Sequence, residues 1–546
     1  MASSFELLLL FLLGCGLEFA VFSKGEWDRY SPIVAQFCTT ALLSTSLFLK
    51  ICGYSWINSF IETACFGAAW LCGLFLSMVV YRTIFHKLKD FPGPFSAKLT
   101  AFWAVKKSIP RLKFYQTVQK LHKEHGDFVR IRPREISISH PDAIEDIHGS
   151  RSKCTKGEFY DFHYPHRSMQ MTRDVSFHSR KRKVWNKAFH PKALNAYEQR
   201  LRENCSRLNN LFERESHDNY PVDASGLFMY FGFDIMSDLT FGKPLGMLKT
   251  GKADSMVQKY HDVKEILGTV IIMPWIMVLL QNLPILRQET WKFKAWCKEQ
   301  LDERRKMTPE LPDFYTYFTD QVSSAAKDVA QDFEDNATYD AELAIVAGGD
   351  TVSCALADIC YLLAKHPEYQ RRLREEIDPL YHKEGEVMHQ DLITLPLLNA
   401  IINEAVRLFP PAPGGLQRLT PPEGAVIAGR FIPGNSNVST PTHTLHRDPR
   451  WFAKPDEFIP ERWFANSELV INKAAFVPFS HGPNNCAGKP LALMEMRMVT
   501  AGMARRFTWE IQPGKEEECT QAFENQPDCF VVKSPLLPII FHARTN

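Results

Sequence analysis

The stretch FSHGPNNCAGKPLALMEMRMV, Phe479–Val499, places one thiol, Cys486, between Gly482 and Gly488 and just ahead of a long helical pattern. Pro490 suits the first turn of that helix, where its missing N–H costs little. The helix would aim free N–H groups at the sulfur. Those donors and the helix dipole favour a thiolate. Gly488 removes a side chain where something flat must approach the backbone. Gly482 and Pro483 turn the chain sharply before the sulfur, and Phe479 could roof the site against water. The chemistry described is a shielded, ionised sulfur ligand for a soft metal such as haem iron. Taken alone, one cysteine is more simply a buried thiol at a helix start.

The wider pattern weighs against the simpler reading. Phe479, Gly482, Cys486 and Gly488, close to the C-terminus, resemble the haem-binding loop of cytochrome P450 enzymes. Three further stretches match that family in order. NEAVRL holds Glu404 and Arg407, three apart and on one helical face. PERW supplies Arg462. The resemblance implies that Glu404, Arg407 and Arg462 lock a helix to the loop that shapes the haem pocket. AGGDTVS, Ala347–Ser353, lies in helical sequence, where two glycines cost about 1 kcal/mol each relative to alanine. The reading is that they make room for dioxygen and substrate. Thr351 could bond back to the Ala347 carbonyl and open the groove. Asp350 and Thr351 are then placed to relay protons.

In HSRKRKVWNKAFHP, His178 and Arg182 stand four apart on one helical face. By resemblance this face donates to a haem propionate, as does Arg418 in GGLQRLTPPEG. The run Arg180–Lys183 reads as a solvated face or a landing patch for an acidic partner. One position departs from the family: two before the cysteine a basic residue is usual, and here it is Asn484. An amide donates without charge. Charge compensation should therefore fall on His178, Arg182 and Arg418.

The elements that must position these residues form one large body. The 546 residues are ordinary in composition, with net charge +2, and nothing basic argues for nucleic acid. The 13 cysteines show no paired spacing, which fits a reduced compartment and not a zinc site. Residues 1–88 read as a membrane anchor with up to three transmembrane helices, at about 7–22, 33–49 and 63–81. One span with two packed or interfacial segments is the alternative. No Lys or Arg precedes the first apolar stretch, which argues against a cleaved signal peptide. Arg82, His86, Lys87 and Lys89 follow the third stretch, which keeps the remainder cytosolic. Residues 89–98, KDFPGPFSAK, read as a stiff hinge. Residues 99–546 read as the catalytic domain. Ile266–Leu286 is apolar but interrupted by Pro274, and reads as a buried or membrane-dipping helix.

The fold expected is mainly α, a cytochrome P450 fold with small β-sheets, preceded by the anchor. The resemblance implies haem b with Cys486 as axial thiolate, and NADPH-driven monooxygenation of a hydrophobic small molecule. Only sixty residues follow Cys486, too few for a flavin domain. Electrons would come from a separate membrane-bound NADPH–cytochrome P450 reductase, or cytochrome b5, at the endoplasmic reticulum. Family precedent puts substrate contacts between Glu158 and Met171, near Ile266–Leu286, around Ala347 and at Ala412–Leu416. The anchor and FPGP look most like fungal members that tailor polyketides, terpenoids or indole alkaloids. Fatty-acid or xenobiotic hydroxylation, a haem-thiolate isomerase or peroxygenase, and a membrane receptor or transporter with an inert soluble body stay open.

Overall fold

The computed structural model describes residues 3–109, 111–216, 220–322, 327–381 and 387–544. It opens on three apolar helices, Ser4–Leu17, Ser31–Ile51 and Trp56–Val80. The first and third touch backbone to backbone. A Cβ on Gly73 would lie 2.0 Å from the Phe11 carbonyl oxygen, and one on Gly14 2.2 Å from that of Trp70. Each of the three is long and apolar enough to cross a membrane, and their apolar windows are only 11%, 6% and 22% buried. The Ala337–Lys365 helix passes the same length and composition test but is 72% buried. Every residue in its Val352–Leu363 run is buried. A helix apolar on all sides needs protein or lipid around it; this one has protein.

The stretch read as a hinge is docked. Arg130 donates its N–H to the Pro92 carbonyl at 2.7 Å. Gly93, at φ +145°, leaves room where a Cβ would sit 2.4 Å from the Arg130 carbonyl oxygen. Phe91 and Ala97 are buried. The preceding helical stretch ends at Phe85, and the chain past Pro92 runs along the strand Phe128–Arg132 as a seam, not a spacer.

The apolar run 266–286 is not one helix. It divides among helices Ser255–Val270, Pro274–Gln281 and Pro284–Arg304, because each proline starts a new helix at its own first turn. The Pro274–Gln281 helix packs against Ser31–Ile51, and Ser31 Oγ donates to the Trp275 carbonyl at 2.8 Å.

The body is helix-rich with small sheets. The alternating segment after residue 127 forms the antiparallel pair Phe128–Arg132 and Glu135–Ile138. It begins a five-stranded sheet continued by Asn437–Ser439, Arg418–Leu419 and Thr155–Lys156. The pairing of Glu135–Ile138 with Asn437–Ser439 is parallel. A three-stranded sheet joins Val222–Asp223, Pro538–Ala543 and Phe507–Ile511. The largest core cluster packs Ala224–Phe241, Ala337–Lys365, Pro396–Leu408 and Lys489–Arg506 together.

Candidate functional site

Glu404, Arg407 and Arg462 are fully buried and meet at one carboxylate. Arg407 Nε and a terminal nitrogen donate to the two Glu404 oxygens at 2.9 and 2.8 Å. Arg462 Nε reaches Glu404 Oε1 at 2.8 Å, and Trp463 Nε1 reaches Oε2 at 2.9 Å. Arg407 spends its remaining donors on the carbonyls of His446, Pro455 and Glu457. A buried charge set survives only when it is paired and hydrogen-bonded throughout. This one ties the Pro396–Leu408 helix to the 446–463 segment.

That segment leads into the thiol loop. Gly482 adopts φ +69°, and a Cβ there would strike the His148 carbonyl oxygen at 1.8 Å. The turn is therefore closed to any other residue. The Cys486 N–H donates to the Phe479 carbonyl at 2.9 Å, which folds the loop back on itself. Phe479 is part-buried against the main core. Asn484 ends the short 3-10 turn Gly482–Asn484. The Lys489–Arg506 helix follows, with Pro490 in its first turn. A Cβ on Gly488 would lie 4.0 Å from the Cys486 sulfur.

Cys486 is open on one side. The protein packed round it lifts the thiol above its ordinary pKa, while the Gly488 and Lys489 amides and Arg182 pull down and do not win. The amides thus act on the sulfur in the expected direction, against desolvation. A coordinated metal deprotonates a thiol outright.

In the Ala337–Lys365 helix, Thr351 Oγ1 donates to the Ala347 carbonyl at 2.8 Å. Leu343, Ala347 and Thr351, spaced by four, form a part-exposed face. The glycines do not line it, contrary to the sequence reading. A Cβ on Gly348 would meet Met236 Sδ at 2.5 Å, and one on Gly349 the Phe233 ring at 3.2 Å. Their missing side chains let this helix lie close against Ala224–Phe241. Asp350 is buried and does not bond to Thr351 among the described residues. It accepts from Tyr260 at 2.9 Å and pairs with Lys264 at 3.0 Å, both on Ser255–Val270. Burial works against the Lys264 ammonium, but Asp350 beside it holds its pKa above the ordinary value.

The Val175–Ala188 helix is capped by Asp174, which accepts from the Ser176 and Phe177 amides at 2.9 and 3.0 Å. From it Arg182 grips the thiol loop, donating to Asn485 Oδ1 at 2.6 Å and to the Asn485 carbonyl. His178 is buried, and its pKa falls to about 4 through desolvation and then through Lys156, Arg182 and Arg418. Arg418 is buried and donates to Tyr160 at 3.0 Å. Lys156 was not singled out in the sequence. It is buried, its ammonium donates to the Met169 and Gln170 carbonyls, and desolvation with Arg418 and Arg182 nearby pushes its pKa down to about 7. Nothing in its spacing marks it among 64 Lys and Arg residues.

Lys156, Arg182 and Arg418 have no carboxylate within ion-pairing distance among the described residues. Buried cations without counter-charge call for an anion. The propionates of a haem would fit this donor set, with Cys486 placed to supply a thiolate to its iron.

The run Arg180–Lys183 is not one patch. Lys181 is buried and pairs with Asp340 at 2.7 Å, and Arg182 turns to the thiol loop. Only Arg180 and Lys183 face outward. Helical rotation sends neighbouring residues to different faces.

Beside Tyr160 lies a cavity of about 130 Å³ walled by Phe114, Ile131, Phe159, Ile272, Leu416 and Phe530. It gathers three of the four segments read as substrate contacts; Ala347 is not among its walls.

Residues 92–539 match the family model described as Cytochrome P450. The chain belongs to the cytochrome P450 family. Similar proteins include the cytochrome P450 monooxygenase nodW of Hypoxylon pulicicidum, 38% identical with 96% of each chain covered. The cytochrome P450 monooxygenase FCK2 of Fusarium pseudograminearum is 37% identical over 98% of each chain. A tryprostatin B 6-hydroxylase of Aspergillus fumigatus is 33% identical over 92% of this chain and 91% of its own. The P450 is thus a haem-thiolate monooxygenase related to fungal enzymes of secondary metabolism, with a helix-rich body and small sheets. Its apolar N-terminal helices are compatible with a membrane anchor.

Proposed function

We propose that this P450 holds haem b with Cys486 as axial ligand and with Lys156, His178, Arg182 and Arg418 around the propionates. The convergence of buried Lys156 and Arg418 with part-buried Arg182 beside the thiol loop, without a paired carboxylate among the described residues, carries this reading. Asn484 adds an uncharged donor at most. Phe479 and Gly488 shape the loop, and Glu404, Arg407 and Arg462 hold it in register. Bound there, the haem supplies dioxygen activation, so that one oxygen atom enters a substrate C–H or C=C bond. The chain's own part is proton delivery. Thr351 holds its hydroxyl proton toward Ala347 at rest and presents it toward the site when it rotates. Asp350 rests on Tyr260 and Lys264 and hands protons on to Thr351 only when its side chain turns from that pair. An isomerase or peroxygenase would use the same loop without that pair.

Electrons come from a separate NADPH–cytochrome P450 reductase, with cytochrome b5 as a second donor. The protein sits in the endoplasmic reticulum membrane on three spans, with the body cytosolic. Support comes from the turn between the first two helices, where Glu26 pairs with Arg173 of the body and Ser31 bonds to Trp275. That turn must share the body's side, which sends the N-terminus to the lumen. The substrate is an apolar secondary metabolite arriving from the bilayer; a relative named for hydroxylating tryprostatin B supports such tailoring.

The test is a carbon monoxide difference spectrum of the reduced full-length protein, followed by turnover with NADPH and reductase. A thiolate-type Soret band lost in Cys486→Ser supports the reading. An unchanged band in that variant, or turnover without NADPH, overturns it.

A further inference from the structure

The cavity beside Tyr160 is apolar over most of its wall and holds two carboxylates, Glu135 and Asp528. They differ in partners. Glu135 pairs with Arg132 at 2.5 Å and accepts from Gln417 and Ser439 at 2.9 and 3.0 Å. Asp528 accepts only one hydrogen bond among the described residues, from the Phe530 amide to Oδ1 at 2.9 Å. Among the described residues no donor reaches its Oδ2. Lys264, whose charge acts on Asp528, is committed to Asp350 at 3.0 Å and to the Val532 carbonyl at 3.3 Å. Tyr115, also on the cavity wall, donates its hydroxyl to the Gln526 carbonyl at 3.1 Å.

The backbone fixes this carboxylate in place. The Asp528 N–H donates to the Leu112 carbonyl at 2.7 Å, and Asp528 pairs with Val532 across a two-stranded turn. Phe530 at the tip takes φ +81°. That conformation costs a side-chain residue on the order of 1–2 kcal/mol. It sets the Phe530 ring 5.3 Å from Phe159 and keeps its amide on Asp528. This part-buried carboxylate keeps one oxygen open to the cavity, where a ligand donor can complete it.

We propose that Asp528 is a specificity-determining residue that accepts a hydrogen bond from the substrate, so that the P450 prefers apolar molecules carrying an N–H or O–H donor, of which N–H is the case tested. This rests on the monooxygenase reading of the site and adds the substrate class. The N–H is either neutral, as in an indole or lactam, or that of a protonated amine.

Calorimetric titration of the full-length haem-loaded protein in detergent separates the cases. One probe pair is 3-methylindole against 1,3-dimethylindole. The other is N,N-dimethylbenzylamine, protonated at neutral pH, against isobutylbenzene. The wild-type protein is expected to favour the N–H member of at least one pair by about tenfold or more, the range of a hydrogen bond to a charged group. Asp528→Leu abolishes the preference. Asp528→Asn keeps part of a preference for neutral N–H and loses one for ammonium, which tells the two sources apart. Equal affinities within both pairs in the wild type, or a preference that survives Asp528→Leu, overturn the proposal. Haem content and the carbon monoxide spectrum are recorded on the same samples. A normal spectrum without the preference sinks the role of Asp528 alone, whereas a missing spectrum in the wild type sinks the monooxygenase reading.

Discussion

Lys264 Nζ stands 3.0 Å from Asp350 Oδ2, with both side chains buried. The pair couples the Ser255–Val270 helix to the acid next to Thr351. Removing one partner of a buried pair leaves the other uncompensated, typically at about 3–5 kcal/mol. Lys264→Met is therefore expected to lower the melting temperature sharply, and Lys264→Met/Asp350→Asn to recover much of the loss. The sign of the pH dependence follows from the raised Lys264 pKa. The pair's stability is complete below the unfolded lysine value of 10.5 and is lost as pH rises through the higher folded value. Unfolding followed from pH 8 to 12 in wild type and double variant checks it.

Gly232 faces Gly349 so closely that a Cβ on Gly232 would sit 2.4 Å from the Gly349 carbonyl oxygen and 2.3 Å from Ser353 Oγ. A carbonyl within a helix cannot yield. Gly232→Ala should cost a few kcal/mol by overpacking, beyond its gain of about 1 kcal/mol in helix propensity. Gly348→Ala meets the flexible Met236 side chain instead. It should lie within about 1 kcal/mol of the wild type. Chemical denaturation of the two variants tests the order, which reverses if the glycines serve the open groove.

The thiol loop and the Glu404–Arg407 pair were legible because their spacing is local: a turn of chain or a turn of helix fixes which residues meet. The hairpin after residue 127 was legible from its period of two. What was hidden depends on partners far along the chain. The double glycine at 348–349 looked like room for a ligand because Phe233 and Met236 lie more than a hundred residues earlier. Lys181 looked solvated because Asp340, its partner at 2.7 Å, lies on another helix. Lys156 carries no pattern at all, and only the folded sheet brings it to Arg418, its neighbour in register.

Lys156 gives a pH test of the propionate site. Its pKa, about 7 in the fold, lies below the ordinary 10.5. Between those values the unfolded chain binds a proton that the folded chain lacks, so stability rises with pH and is lost as pH falls through about 7. The haem-free protein should therefore gain stability, up to a few kcal/mol, from pH 7 to 9. Two propionates beside the ammonium would restore its ordinary affinity for the proton and flatten that slope. Melting curves of haem-free and haem-loaded protein, with Lys156→Met as control, measure both. In the same preparations Arg182→Ala should retain less haem than Asn484→Ala, because Arg182 joins the thiol loop to the cation cluster.

Glu26 lies in the turn between the first two apolar helices, yet both its oxygens meet Arg173, one of them at 3.0 Å. Arg173 also pairs with Asp161 at 3.0 Å and donates Nε to the Lys156 carbonyl at 3.0 Å. One guanidinium thus joins the anchor, the roof of the cavity and the cation cluster. Both partners are about one quarter exposed, 24% for Arg173 and 27% for Glu26, so screening reduces the pair to about 1 kcal/mol. Glu26→Gln should leave the global melting temperature nearly unchanged and release the segment 157–173. Trypsin cleavage there should rise several-fold, and the Michaelis constant should increase more than kcat falls, since the segment roofs the cavity and does not touch the thiol. Cleavage and Michaelis constant both unchanged in Glu26→Gln would mean that the anchor turn rests on the body without holding it.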